Sequence, residues 1–234
     1  IAGRMVRILE AAGAPAGTVT YLPCPGGEVG DFLVRHPDVD LIAFTGSLDV
    51  GLRIISQAAQ HPARDGIKKV IAEMGGKNAI IVDSDADLDL AVSEVVVSAF
   101  SYAGQKCSAA SRVIVLEAAH DEFVHRLVEA TRSLRVGPPE DPATRVPPVI
   151  TGEARERIQG YIAQGMQEAT LAAAGEPPEG GRTGGGFYVA PHVFTDVPPS
   201  AVIAQEEIFG PVVGVMKAAD MDEALAIANG VKYA

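Results

Sequence analysis

The sequence predicts an α/β protein built on parallel sheet, and three observations carry that prediction. Short apolar runs alternate with helix-period segments at the spacing of βα units. Leu41-Ile42-Ala43-Phe44 is wholly apolar, as expected of a strand buried on both faces. Glycines punctuate the junctions, at Gly26-Gly27, Gly46 and Gly75-Gly76, where strand must give way to turn or helix.

In order, a helix is expected up to Ala12, ended by Gly13, followed by a β-branched strand over Thr18 to Leu22. Pro23-Cys24-Pro25-Gly26-Gly27 forces a turn, and Val29 to Arg35 reads as a helix. Leu41 to Phe44 runs into Thr45-Gly46-Ser47, after which Val50, Ile54, Ile55 and Ala58 mark a helical face. Strands are expected at Lys69 to Glu73 and Ala79 to Val82, with a domain boundary between them: residues 1–76 form one domain and 77–234 the next. Leu88, Ala91, Val92, Val95, Val96 and Ala99 then repeat at helical spacing up to about Ala103. Beyond them come Arg112 to Leu116 (strand), Asp121 to Arg132 and Ala154 to Gln164 (helices), Phe187 to Ala190 and Val212 to Met216 (strands) and Met221 to Ala228 (helix). Gly175 to Gly186 is too rich in Gly and Pro to fill a core and reads as a surface loop.

Composition narrows the function. The 234 residues are 47% hydrophobic, ample for a core, and 19 basic against 30 acidic side chains leave a net charge of −11. That balance repels phosphate backbones and anionic lipid, so neither nucleic acid nor membrane is an expected partner. No apolar run approaches the ~20 residues of a spanning helix, and no signal peptide is visible, so a cytoplasmic location is the default. Two distant cysteines, Cys24 and Cys107, fit a reducing compartment. The chain opens at Ile1 in a helical pattern and stops at Ala234 without a polar tail, so it reads as a segment of something longer.

Several motifs invite a chemical reading. Asp83, Asp85, Asp87 and Glu94 imitate a calcium loop, but Leu88 stands where a glycine is needed, and helix capping explains the acids better. His120 and His125 lie five apart without further ligand spacing, so no metal is expected. Gly26, Gly27 and Gly30 are expected in a strand-to-helix turn that could admit a nucleotide phosphate, though such turns use glycine in any α/β protein. Thr45-Gly46-Ser47 is a second turn of that type, with hydroxyls for a phosphate or for capping the next helix. Glu73 ends an apolar strand, where desolvation would suit it to general-base work; a structural ion pair with Lys69 or Lys77 explains it equally well. Cys107 sits among small residues beside Lys106, a setting that favours thiolate, although a buried structural cysteine is the commoner fate. Cys24, enclosed by two prolines, reads as structural.

Together, Phe44-Thr45-Gly46-Ser47, Glu73-Met74-Gly75-Gly76-Lys77, Gly104-Gln105-Lys106-Cys107 and Glu207-Ile208-Phe209-Gly210-Pro211 resemble the aldehyde dehydrogenase superfamily in order and approximate spacing. The wording around Ala72 to Asp83 and Gly104 to Ala109 is similar to the pyrroline-carboxylate dehydrogenase branch, which oxidises glutamate γ-semialdehyde. The resemblance implies part of a Rossmann-like cofactor domain followed by a catalytic α/β domain. It implies Cys107 as nucleophile and Glu73 as the base that activates water. It implies NAD, with NADP as the alternative, held near Gly30, Gly46, Ser47, Met74, Glu207 and Phe209, with Ser108 helping to anchor the substrate carboxylate. The family's oxyanion asparagine and adenosine-ribose lysine would lie upstream of Ile1 and a second substrate loop beyond Ala234, so these 234 residues alone are expected to be poorly active. The parent is expected to be a homo-oligomer. Another aldehyde dehydrogenase branch, or a non-catalytic truncated homologue, remain the competing readings.

Overall fold

The computed structural model describes residues 1–176, 178 and 185–233, which form two compact units, Ile1–Met74 and Gly75–Ala234. In the first unit, α1 (Ala2–Ala11) and α2 (Gly26–Arg35) precede β1 (Leu41–Thr45), α3 (Leu48–Gln60) and β2 (Lys69–Glu73). The β1 and β2 strands pair in parallel, Leu41 opposite Lys69 and Thr45 opposite Glu73. Ser47 caps α3 by accepting the Val50 N–H, as its position before an apolar-periodic run suggests. The buried Lys68 ammonium closes the end of α2, donating to the Val34 carbonyl at 2.6 Å and the His36 carbonyl at 2.9 Å, where the helix dipole favours a cation.

Two expectations fail in this unit. Thr18 to Leu22 is not a strand: these residues are exposed, and the unit's sheet holds β1 and β2 alone. Alternating, β-branched sequence makes a strand only where a neighbouring strand offers a ladder. Gly26, Gly27 and Gly30 lie inside α2 rather than in a strand-to-helix turn, and a Cβ at any of them would meet nothing within 4 Å.

In the second unit the elements are β3 (Asn78–Val82), α4 (Leu88–Phe100), β4 (Ala110–Leu116), α5 (Glu117–Arg132), α6 (Gly152–Glu168), β5 (Thr170–Ala174), β6 (His192–Thr195), α7 (Val202–Gln205), β7 (Val212–Ala218) and α8 (Met221–Asn229). The sheet runs β3-β4-β7-β6-β5, parallel throughout except for the antiparallel β6–β5 pair at its edge. β4 and β7 at its centre are almost entirely buried, which is why they read as continuous apolar runs. Phe100, Phe123, Leu127, Ile114, Ile158, Phe194 and Met216 fill the core. Asp87 caps α4 with a carboxylate that accepts the Asp89 and Leu90 N–H groups, the helix capping expected of the acidic run.

Phe187 to Ala190 is not a strand; Phe187 forms one bridge to Val149, and the paired strand starts at His192. β5 is not marked in the sequence because Thr170 is its single β-branched residue and the rest of the run is Leu and Ala. Of the Gly175 to Gly186 loop, residues 177 and 179–184 lie outside the described residues. Among the described residues no helix is long and apolar enough to cross a membrane.

Candidate active site

Cys107 is delivered by a strained turn. α4 stops at Phe100, and a 3-10 turn over Ser101–Gly104 carries left-handed backbone at Tyr102 (φ 56°), Ala103 (φ 54°) and Gly104 (φ 69°). Left-handed geometry costs a non-glycine residue about 1–2 kcal/mol, so the surroundings must impose it. They do: Ala103 and Gly104 are buried, and a Cβ on Gly104 would stand 2.2 Å from the Gly210 carbonyl oxygen. The Gln105 side chain bridges the turn, donating to the Tyr102 carbonyl at 3.1 Å and accepting the Ile150 N–H at 2.9 Å. The chain then turns once more, with the Ala109 N–H on the Lys106 carbonyl, before the Ala110 N–H docks on the Ser98 hydroxyl and β4 begins. At the apex Cys107 and Ser108 are exposed, flanked by buried Ala109. The thiol is therefore accessible on a rigid mount, unlike a structural core cysteine.

Glu207 closes against the Gly75-Gly76 backbone. Its Oε1 accepts the Gly76 N–H at 3.2 Å, and a Cβ on Gly75 would lie 2.0 Å from its Oε2. A Cβ on Gly76 would fall 2.7 Å from the Cys107 carbonyl, a backbone atom that cannot swing aside, so glycine is required at 76, whereas at 75 the Glu207 side chain would have to move. Phe209, two residues beyond Glu207, is again left-handed (φ 52°) and partly exposed. Gly76, Lys106, Ser111, Glu207 and Phe209 share the lining of one narrow cleft.

Beneath the glycines lie two buried cations that sequence reading did not single out as a pair. Arg112, on β4, donates to the Lys77 carbonyl through Nε (3.0 Å) and Nη2 (2.6 Å), and to the Ile227 and Ala228 carbonyls at the end of α8, both at 2.9 Å. It thereby fixes the segment that leaves the double glycine. Lys77 is also buried, and among the described residues its Nζ makes no hydrogen bond. Burial pulls its pKa down to about 7; Arg112 pushes the same way, and Glu207 and Glu206 oppose.

In the first unit, Glu73 ends β2 and is exposed, because alternate residues of this two-stranded sheet face outward. The expected desolvation of its carboxylate is thus absent in this chain. Gly46 follows β1, its N–H on the Glu73 carbonyl at 3.1 Å, and a Cβ there would strike the Phe44 ring at 2.4 Å. Ser47 stands at the α3 N-terminus, Gly30 within α2, and Met74 packs its sulfur where a Cβ on Gly51 would be. Cys24 is exposed and unpaired, not the enclosed structural thiol its prolines suggested: they hold the segment extended, with nothing packed over it. Among the described residues no group of three or more His, Cys, Asp or Glu gathers as a metal site.

Comparison with known proteins places these features in context. The family model described as "Aldehyde dehydrogenase family" matches residues 1–234. A 1-pyrroline-5-carboxylate dehydrogenase of Geobacillus kaustophilus is 51% identical over the whole chain, and that of Bacillus subtilis 47%; the chain spans 45% of the length of each. Among solved structures, 1-pyrroline-5-carboxylate dehydrogenase from Thermus with bound NAD is 44% identical, with a TM-score of 0.90 over 97% of this chain and 43% of that one. Proline utilization A from Bdellovibrio bacteriovorus, inactivated by N-propargylglycine, is 48% identical with a TM-score of 0.95 over all of this chain and 24% of that one.

Proposed function

The chain belongs to the aldehyde dehydrogenase family, and from that premise we propose that the protein carrying it oxidises L-glutamate γ-semialdehyde to L-glutamate with NAD as acceptor. The observation that carries this reading is an exposed Cys107 on a strained, cross-braced turn beside the Glu207 and double-glycine cleft, in a chain half identical to 1-pyrroline-5-carboxylate dehydrogenases. Each unit carries residues that suit part of a dinucleotide: in the first, the helix N-terminus capped by Ser47 suits a phosphate; in the second, the Glu207 carboxylate beside the side-chain-free Gly75 and Gly76 backbone suits ribose hydroxyls. Gly30, Gly46, Met74 and Phe209 complete the assignment. The bound Thermus relative supports NAD over NADP. Two free thiols suit a reducing, cytoplasmic setting.

In this reading the Cys107 thiolate attacks the aldehyde carbon, forming the C–S bond and sending the π electrons to oxygen. The Cys107 N–H helps hold that oxyanion. Bound NAD supplies the acceptor for the hydride that leaves the same carbon as its C=O re-forms, which leaves a thioester on Cys107. Glu73 takes a proton from water; the hydroxide adds to the thioester, the C–S bond breaks, and the thiolate is restored with the carboxylic acid. Ser108, exposed beside the nucleophile, hydrogen-bonds the substrate carboxylate.

The test is a pre-steady-state assay of the intact protein with glutamate γ-semialdehyde and NAD. Cys107→Ala should give no NADH burst, whereas Glu73→Gln should give a burst near one equivalent followed by slow turnover. A Glu73→Gln enzyme that hydrolyses its thioester at the wild-type rate would remove Glu73 from the mechanism. A simple aliphatic aldehyde turned over faster than the semialdehyde would move the substrate assignment to another branch.

A further inference from the structure

We infer that Asn78 is the positioning residue of the nucleophile turn. The inference rests on the reading of Cys107 as nucleophile and extends it to a side chain that carries no assigned role. Asn78 opens β3 where the parallel ladder to β4 is irregular: the register is Asn78 opposite Ala110 and then Ala79 opposite Arg112, so one residue of β4 is skipped. A bulge of this kind leaves main-chain groups without ladder partners next to the point where the sheet meets the turn. From this strand start the Asn78 side chain reaches into the turn that precedes β4. Its Nδ2 donates to the Cys107 carbonyl at 2.7 Å and to the Ala109 carbonyl at 3.1 Å.

The orientation of the amide follows from its partners. Both are carbonyl oxygens, which accept only, so the nitrogen and not the oxygen must face them. Two hydrogen bonds from one planar amide to carbonyls two residues apart fix the position and the tilt of the Cys107–Ala109 segment against β3. The Ser111 hydroxyl reaches back to the Asn78 carbonyl at 3.5 Å, and hydrogen at Gly76 leaves room for the Cys107 carbonyl beside it. The Ser98 hydroxyl holds the far end of the turn through the Ala110 N–H. The peptide that carries the thiol is thereby clamped from two elements, β3 and α4.

This assigns a chemical requirement to position 78. Asp would turn carboxylate oxygens toward two carbonyls. Leu, the same size without donors, would leave both carbonyls unserved. Ser keeps one short donor and can serve one of them. Displacement of a reacting group by about 1 Å costs on the order of 10²-fold in rate, so the effect belongs in acylation and not in cofactor binding.

The experiment compares wild type, Cys107→Ala, Asn78→Leu, Asn78→Asp and Asn78→Ser of the intact protein. It reads the single-turnover acylation rate from the NADH burst, the KM for NAD and the melting temperature. The expected result is acylation lowered about 10- to 100-fold in Asn78→Leu and Asn78→Asp, with KM for NAD within twofold of wild type and Asn78→Ser in between. Graded loss in folded variants supports positioning; a purely structural role would lower the melting temperature and leave the burst rate intact. Should Asn78→Leu and Asn78→Asp fail to fold, Asn78→Ser decides: acylation within twofold of wild type overturns the inference. Cys107→Ala separates the two levels of the argument. If it is inactive and the folded Asn78 variants acylate normally, the positioning role alone falls. If it still turns over, the nucleophile assignment falls and takes the Asn78 role with it.

Discussion

Cys107 and Cys24 are both exposed, so accessibility does not distinguish them; chemical setting must. Cys107 is flanked by Lys106 and by turn amides, whereas Cys24 lies between two prolines, whose nitrogens carry no hydrogen. Peptide-resolved labelling with iodoacetamide near neutral pH should therefore modify Cys107 faster, and equal sluggish rates would favour a non-catalytic protein. Lys77 supports a pH prediction. Its pKa is depressed from 10.5 to about 7 in the fold, so between those values the unfolded chain holds a proton that the folded chain has released. Raising the pH then favours folding, by up to ~1.4 kcal/mol per unit from this group, and below about 7 the contribution is flat. Urea titrations at pH 7 and 9.5 should show wild type gaining stability relative to Lys77→Met, which has no proton to exchange. An unchanged difference would contradict the shift. Lys77 is a buried amine whose charge Glu207 and Glu206 favour and Arg112 opposes, neighbours supplied by a loop and a strand distant in the chain.

The turns are decided by contacts between elements. Gly104 is left-handed and faces the Gly210 carbonyl, so Gly104→Ala combines strain with overlap and should cost about 2–4 kcal/mol, measured by denaturant unfolding. Gly26→Ala, in the first turn of α2 with open space around it, should be neutral or slightly stabilising in the same assay. Arg112→Met removes four hydrogen bonds that join the start of β3 to the end of α8, and should destabilise by about 3 kcal/mol because three carbonyls lose a charged donor. The strands β1, β2, β4 and β7 and the helices α3 to α6 were legible because hydrophobic period and capping residues are local signals. Thr18 to Leu22 was misread, since ladder formation depends on a partner strand that local sequence does not reveal.

Across the whole molecule, burial is uneven. Val34, Ala58 and Ala63 are the buried apolar side chains of the first unit, and α1 buries none, while the second unit encloses a continuous core around β4, β7 and α5. Native-state hydrogen exchange should find the slowest amides in β4 and β7 and the fastest in α1 and α2; the reverse order would refute this distribution of stability. The chain spans 45% of the length of the curated relatives it matches. Sequence alone determined the α/β class, the family and the candidate nucleophile and base, because motif chemistry and hydrophobic period are written in neighbouring residues. Tertiary structure decided the rest: that Glu73 is exposed, that Glu207 rests on Gly76, that Arg112 and Asn78 brace the double glycine and the Cys107 turn. Those contacts join residues 29 to 131 positions apart, and hydrogen bonds and close packing across such distances leave no periodic trace in the chain.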